Sequence, residues 1–189
     1  LQVVHPLPRL DDTLSALKKC RVFHFAGHGS TNSDPLDSLL YLEDWETHPL
    51  TVASLLETNL RSGAPFLAYL SACRTGENLD ENLADESLYL TSAFQLAGFR
   101  HVIGTLWEVD DALCVDMARK TYEILGESGF RDVSVSSALH LATRALRDKW
   151  LIDERARAES RGDRDFGTCN DGDVRCQTPL WVPYVHCGV

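Results

Sequence analysis

The chain has 189 residues, 44% of them hydrophobic, and a formal charge of −10 from 18 basic against 28 acidic side chains. That length fits one domain with a substantial core, and no apolar run is long enough to cross a bilayer. So acidic a chain lacks the basic patch that phosphate backbones require, so neither a membrane nor a nucleic acid is an expected partner.

Residues 10–19 read as a helix feeding a short apolar run, Val22-Phe23-His24-Phe25-Ala26-Gly27-His28-Gly29-Ser30. An apolar run bounded by turn residues is the pattern of a strand buried on both faces, and such strands belong mostly to parallel sheets. Residues 30–49 are polar and turn-rich, with apolar residues around Leu39-Leu40-Tyr41-Leu42 expected in an edge hairpin. Thr51 is placed to cap a helix from Val52 to Leu60, with Glu57 in reach of its early turns. Gly63-Ala64-Pro65 breaks the chain before a second apolar run, Phe66 to Cys73, and a polar loop from Gly76 to Asp85 follows.

A helix over 86–97 is expected to stop at Gly98, and His101 to Trp107 forms the next buried run. Residues 111–126 and 134–150 have the spacing of amphipathic helices. Residues 152–178 are rich in Arg, Asp, Glu and Gly, and are expected to form a mobile surface insertion. Residues 179–185 contain Pro183 and are expected to form a last edge strand. Strands alternating with helices imply an α/β fold, a mainly parallel central sheet flanked by helices on both faces.

The six cysteines (Cys20, Cys73, Cys114, Cys169, Cys176 and Cys187) include no CxxC pair. Residue 1 is Leu and no secretory signal is recognisable. The expectation is a segment of a longer, cytoplasmic protein with reduced thiols. Cys169, Cys176, His186 and Cys187 match none of the usual zinc-ligand spacings, so ordinary cysteines are the reading there and no metal is expected.

In open α/β sheets, chemistry gathers beyond the carboxyl ends of the strands. His28 and Cys73 each end an apolar run, so neighbouring strands would bring an imidazole and a thiol together. The thiolate is the useful form of cysteine, and a histidine can take its proton and return it to a leaving amine. His28 lies between Gly27 and Gly29, which leaves its ring uncrowded. The N–H groups of Gly29 and Cys73 are candidate oxyanion donors, and Ser71, Ala72 and Gly76 leave room for a peptide. Residue types alone leave a structural histidine and a small hydrophobic cysteine as an equal alternative. His24 sits mid-strand and is read as a buried structural residue.

Four segments carry a family resemblance: HFAGHGS (24–30), LSACRTG (70–76), GFRHVIGTLWEVDD (98–111) and PLWVPYVHCG (179–188). Ser38-Leu39-Leu40-Tyr41-Leu42 followed by Leu50-Thr51-Val52 adds a fifth stretch. Together they resemble the CHAT domain, a caspase-like module of the clan that holds separase, metacaspases and gingipains. The resemblance implies a caspase-hemoglobinase-like fold over a single peptidase domain, residues 1–189, and cysteine endopeptidase activity on a specific protein substrate. It implies His28 as general base and acid, Cys73 as nucleophile and Gly29 as an oxyanion-hole donor. It also implies regulatory TPR- or NACHT-like regions in the same longer chain and a signalling, cell-death or defence setting. No cofactor is needed for this chemistry, although some relatives use calcium for activation.

Nine acidic residues against one arginine lie between Gly76 and Asp116. Asp85, Asp110 and Asp111 flank the expected site, and a carboxylate in a partly dry pocket would select Lys or Arg at P1. The competing roles are helix-dipole stabilisation and capping by the same carboxylates. Trp107 and Leu106 could instead wall an apolar P1 pocket, and few arginines are available to bind an acidic one. A catalytically silent module that only binds a partner, and a cysteine hydrolase of another class, are the alternative functions.

Overall fold

The computed structural model describes residues 2–30, 32–74, 87–106, 109, 111–161 and 183–188. The chain divides into two compact units, Leu1–Glu108 with Tyr184–Val189, and Val109–Pro183.

The first unit is built on a six-stranded sheet. Helix α1 (Leu10–Leu17) carries Asp11 and Asp12 in its first turn, where the helix dipole favours negative charge. Its own N-cap residue, Arg9, offers no capping side chain. Asp44 does this instead, its carboxylate accepting from the Leu10 N–H at 3.2 and 3.3 Å. Strand β1 (Val22–Ser30) follows, then the short antiparallel pair β2 (Leu39–Leu40) and β3 (Leu50–Thr51). Helix α2 (Val52–Thr58) opens with a capping box. The Ser54 N–H donates to Thr51 Oγ1 at 3.1 Å and the Thr51 N–H to Ser54 Oγ at 3.0 Å.

Strand β4 (Leu67–Arg74), helix α3 (Ser87–Ala97), strand β5 (His101–Thr105) and strand β6 (Tyr184–Gly188) complete the unit. The α3 helix stops where Gly98 takes φ +131°, and a Cβ there would lie 2.7 Å from the Arg61 backbone nitrogen. Glycine is required at that turn.

The strand order is β3-β2-β1-β4-β5-β6. Only β1–β4 and β4–β5 run parallel; β1–β2, β2–β3 and β5–β6 are antiparallel. The sheet is therefore mixed, which corrects the expectation of a mainly parallel one. The buried runs do form a parallel centre, but the short hairpin and the returning last strand add antiparallel edges on both sides. One face of the sheet carries Phe25, Ala68, Leu70 and Val102, which join Leu17, Leu55, Leu60, Phe94 and Phe99 in a continuous core with α1, α2 and α3. Phe94 anchors it, stacked on Phe23 at 5.5 Å and tilted against Phe99 at 5.7 Å.

The described residues of the second unit form a helical hairpin, α4 (Asp111–Glu127) and α5 (Asp132–Arg161). The turn between them uses left-handed backbone at Gly129 (φ 73°) and Phe130 (φ 53°). Lys149 and Arg119 both reach the Asp116 carboxylate, at 3.4 and 2.6 Å, and hold its pKa below the ordinary value of 3.8. The α5 helix runs eleven residues past the expected end at 150, so 152–161 are helical rather than part of an irregular insertion. Residues 162–178 of that insertion lie outside the described residues. No helix among the described residues is long and apolar enough to cross a membrane.

Candidate active site

The centre of the sheet brings the two singled-out positions together. Strands β1 and β4 pair in parallel without a slip, from Val22↔Leu67 through Ala26↔Ser71 to His28↔Cys73 and Gly29↔Arg74. Adjacent strands lie about 4.8 Å apart, so the backbone of residue 73 stands directly beside that of residue 28. Alternation along the strands assigns His24, Ala26 and His28 to the same sheet face as positions 69, 71 and 73. This face is opposite to the one that carries Phe25, Ala68 and Leu70.

His28 is exposed. Its carbonyl accepts a hydrogen bond from the Tyr41 N–H at 2.8 Å, which fixes the end of β1 against the edge hairpin. Because backbone polar groups alternate direction along a strand, that bond turns the Gly29 N–H toward β4. Gly29 is buried, and a Cβ on it would press the Leu39 carbonyl oxygen at 3.1 Å and Leu40 Cδ2 at 3.3 Å. A side chain at 29 would push β2 back by a few tenths of an ångström.

His24 departs from expectation: it is exposed, not buried. Its ring stacks on Tyr69 at 5.0 Å, and the loss of water on the packed side pushes its pKa down. Tyr69 itself is fully buried. Ser71 was notable in the sequence only for being small. Its hydroxyl is buried and has no hydrogen-bond partner among the described residues, opposite Ala26 and two positions before Cys73. No sequence pattern marks a serine as unsatisfied; only the packed sheet does.

The expected substrate-binding residues are less completely placed. Asp111 opens α4 in the second unit, exposed in its first turn, where the helix dipole alone accounts for an acidic side chain. Asp85, Asp110 and Trp107 lie outside the described residues, as do Cys169 and Cys176. Among the described residues no three His, Cys, Asp or Glu side chains gather into a metal site.

A mixed α/β sheet whose two central parallel strands set a histidine and a cysteine in register near their carboxyl ends defines the class structurally. A family model described as the CHAT domain matches residues 7–188, so the chain belongs to the CHAT-domain family, a caspase-like family. No curated protein matches the chain.

Proposed function

We propose that this domain is a cysteine endopeptidase that works through a His28/Cys73 dyad. The observation that carries the reading is the register His28↔Cys73 on adjacent parallel strands, with the imidazole exposed. In this reading His28 takes the thiol proton as the sulfur attacks a peptide carbonyl. The tetrahedral intermediate collapses to a thioester as His28 returns the proton to the leaving amine. Water, deprotonated by the same ring, then hydrolyses the thioester and frees the thiol. The developing oxyanion takes the N–H groups of Cys73 and Gly29. Gly29 N–H faces β4 in the strand as it stands, so this donor becomes available only when the end of β1 parts from the ladder. Such a rearrangement suits a regulated enzyme.

The substrate in this reading is a specific protein cut after a basic residue, favoured by the acidic segment that includes Asp85, Asp110 and Asp111, with Trp107 as a wall of the pocket. Regulatory TPR- or NACHT-like regions of a longer cytoplasmic chain would supply the activating event in a signalling, defence or cell-death pathway. The direction of the Gly29 N–H also favours a second reading, a catalytically silent CHAT module that binds a partner protein.

Two peptidyl acyloxymethyl ketone probes, with Arg or Leu at P1, separate these readings. The peptidase reading predicts labelling that disappears in Cys73→Ala, falls by about 100-fold or more in His28→Ala, and is faster with Arg. Absence of labelling on folded protein supports either a latent enzyme that waits for its activating event or the binding module, and faster labelling by the Leu probe replaces the acidic pocket with an apolar one.

A further inference from the structure

Far from the dyad, two imidazoles meet across the β5–β6 pair. His101 opens β5 and is fully buried, whereas His186 on β6 is half-buried. They lie on a diagonal of the antiparallel ladder, in which His101 pairs with Gly188 and Ile103 with His186. His101 Nδ1 and His186 Nε2 are 3.1 Å apart, and the rings overlap with centroids at 5.2 Å and planes 27° apart. Phe66 closes edge-on against His101 at 5.0 Å. Gly188 makes the meeting possible, because a Cβ there would collide with both ring nitrogens.

A nitrogen–nitrogen contact of this length holds one proton. With a single N–H donating to a lone pair it is attractive; with both nitrogens protonated, two donors and two positive charges face each other. In the first unit the sheet face around the pair presents Leu67, Tyr69 and Ser71 from β4, Ile103 and Thr105 from β5, and Tyr184 from β6. His24 of β1 lies on the same face, stacked on Tyr69, and α3, which packs on the opposite face, contains no Asp, Glu, Lys, Arg or His. Arg100, next to His101, is exposed. Among the described residues, none of these strand positions holds Asp or Glu.

We propose that the His101–His186 pair is an acid-sensitive latch, whose double protonation parts the rings and releases β6 from the edge of β5. The proposal does not rest on the peptidase reading. Burial first, and the neighbouring His101 second, lower the His186 pKa from its usual 6.5. A histidine whose folded-state pKa is depressed takes up its proton more readily in the unfolded chain. The hold on β6 is therefore complete above pH 6.5 and is lost as pH falls through the lower folded value. Release would begin at the pair itself, where His101 meets Gly188 and Ile103 meets His186, and would expose a row of unpaired backbone groups able to accept another strand.

Hydrogen exchange of the intact chain at about pH 7.5 and about pH 5, corrected for intrinsic exchange, tests the latch. The amides of 184–188 are expected to lose about 10-fold or more in protection at the lower pH relative to those of β1 and β4. In His186→Gln, whose amide bonds without titrating, that loss should vanish. Unchanged protection in the wild type, or the same loss in His186→Gln, overturns the latch. Should the variant not fold, ring-proton titration of the wild type by NMR decides: coupled steps with the His186 midpoint below 6.5 support it, and two independent titrations at or above that value overturn it.

Discussion

Gly29 shows most clearly how much one hydrogen atom can decide. It follows the candidate base, lies behind it against the β2 backbone, and has an ordinary extended conformation, so its constraint is space rather than φ. Gly29→Ala is expected to lower stability by about 1–3 kcal/mol, because the Leu39 carbonyl is backbone and cannot swing aside. Chemical denaturation measures this directly, and a neutral result would mean that β2 is free to shift. At this scale the sequence was informative about position and silent about state. Local runs placed His28 and Cys73 at strand ends, because apolar length and flanking glycines are local signals. The exposure of His24, the buried hydroxyl of Ser71 and the facing of the Gly29 N–H depend on the neighbouring strand, and a single run of residues does not encode them.

Among the elements, short-range chemistry is legible in the sequence and helix length is not. Thr51 caps α2 as its spacing implied, and its reciprocal partner is Ser54, three residues on. Thr51→Ala should therefore cost about 1 kcal/mol, while Glu57→Ala should stay within about 0.5 kcal/mol. Equal losses in urea titrations would show that Glu57 supports the helix start as much as the cap does. The continuation of α5 to Arg161 departs from the expected insertion, because a charged, apolar-poor composition is shared by disordered segments and exposed helices. Yet Leu, Glu, Arg and Ala are all strong helix formers, and a helix already nucleated upstream extends through them. The last strand is seen from Tyr184, just after Pro183, which has no N–H to donate to a ladder; residues 179–182 of the expected run lie outside the described residues.

For the whole molecule, the α/β class and the parallel centre followed from buried runs alternating with helices, whereas strand direction at the edges did not. A two-residue strand such as β2 carries no periodicity, and β6 returns antiparallel after a connection whose course no local pattern fixes. The core behind the central strands is nonetheless concentrated. Phe94→Ala should remove about 3–5 kcal/mol, enough to unfold a marginal domain, and a loss below about 1 kcal/mol would show that α3 does not anchor the sheet.

The central claim, that residues 28 and 73 act as one chemical unit, is tested most directly without any substrate. Alkylation of Cys73 by iodoacetamide near neutral pH can be followed by peptide mass mapping, with Cys20, Cys114 and Cys187 as internal references in the same protein. The account predicts that His28→Gln slows alkylation at Cys73 by about 10-fold or more and leaves the reference thiols unchanged. An equal rate at Cys73 in both proteins would contradict it, and would reduce the paired register to a structural coincidence.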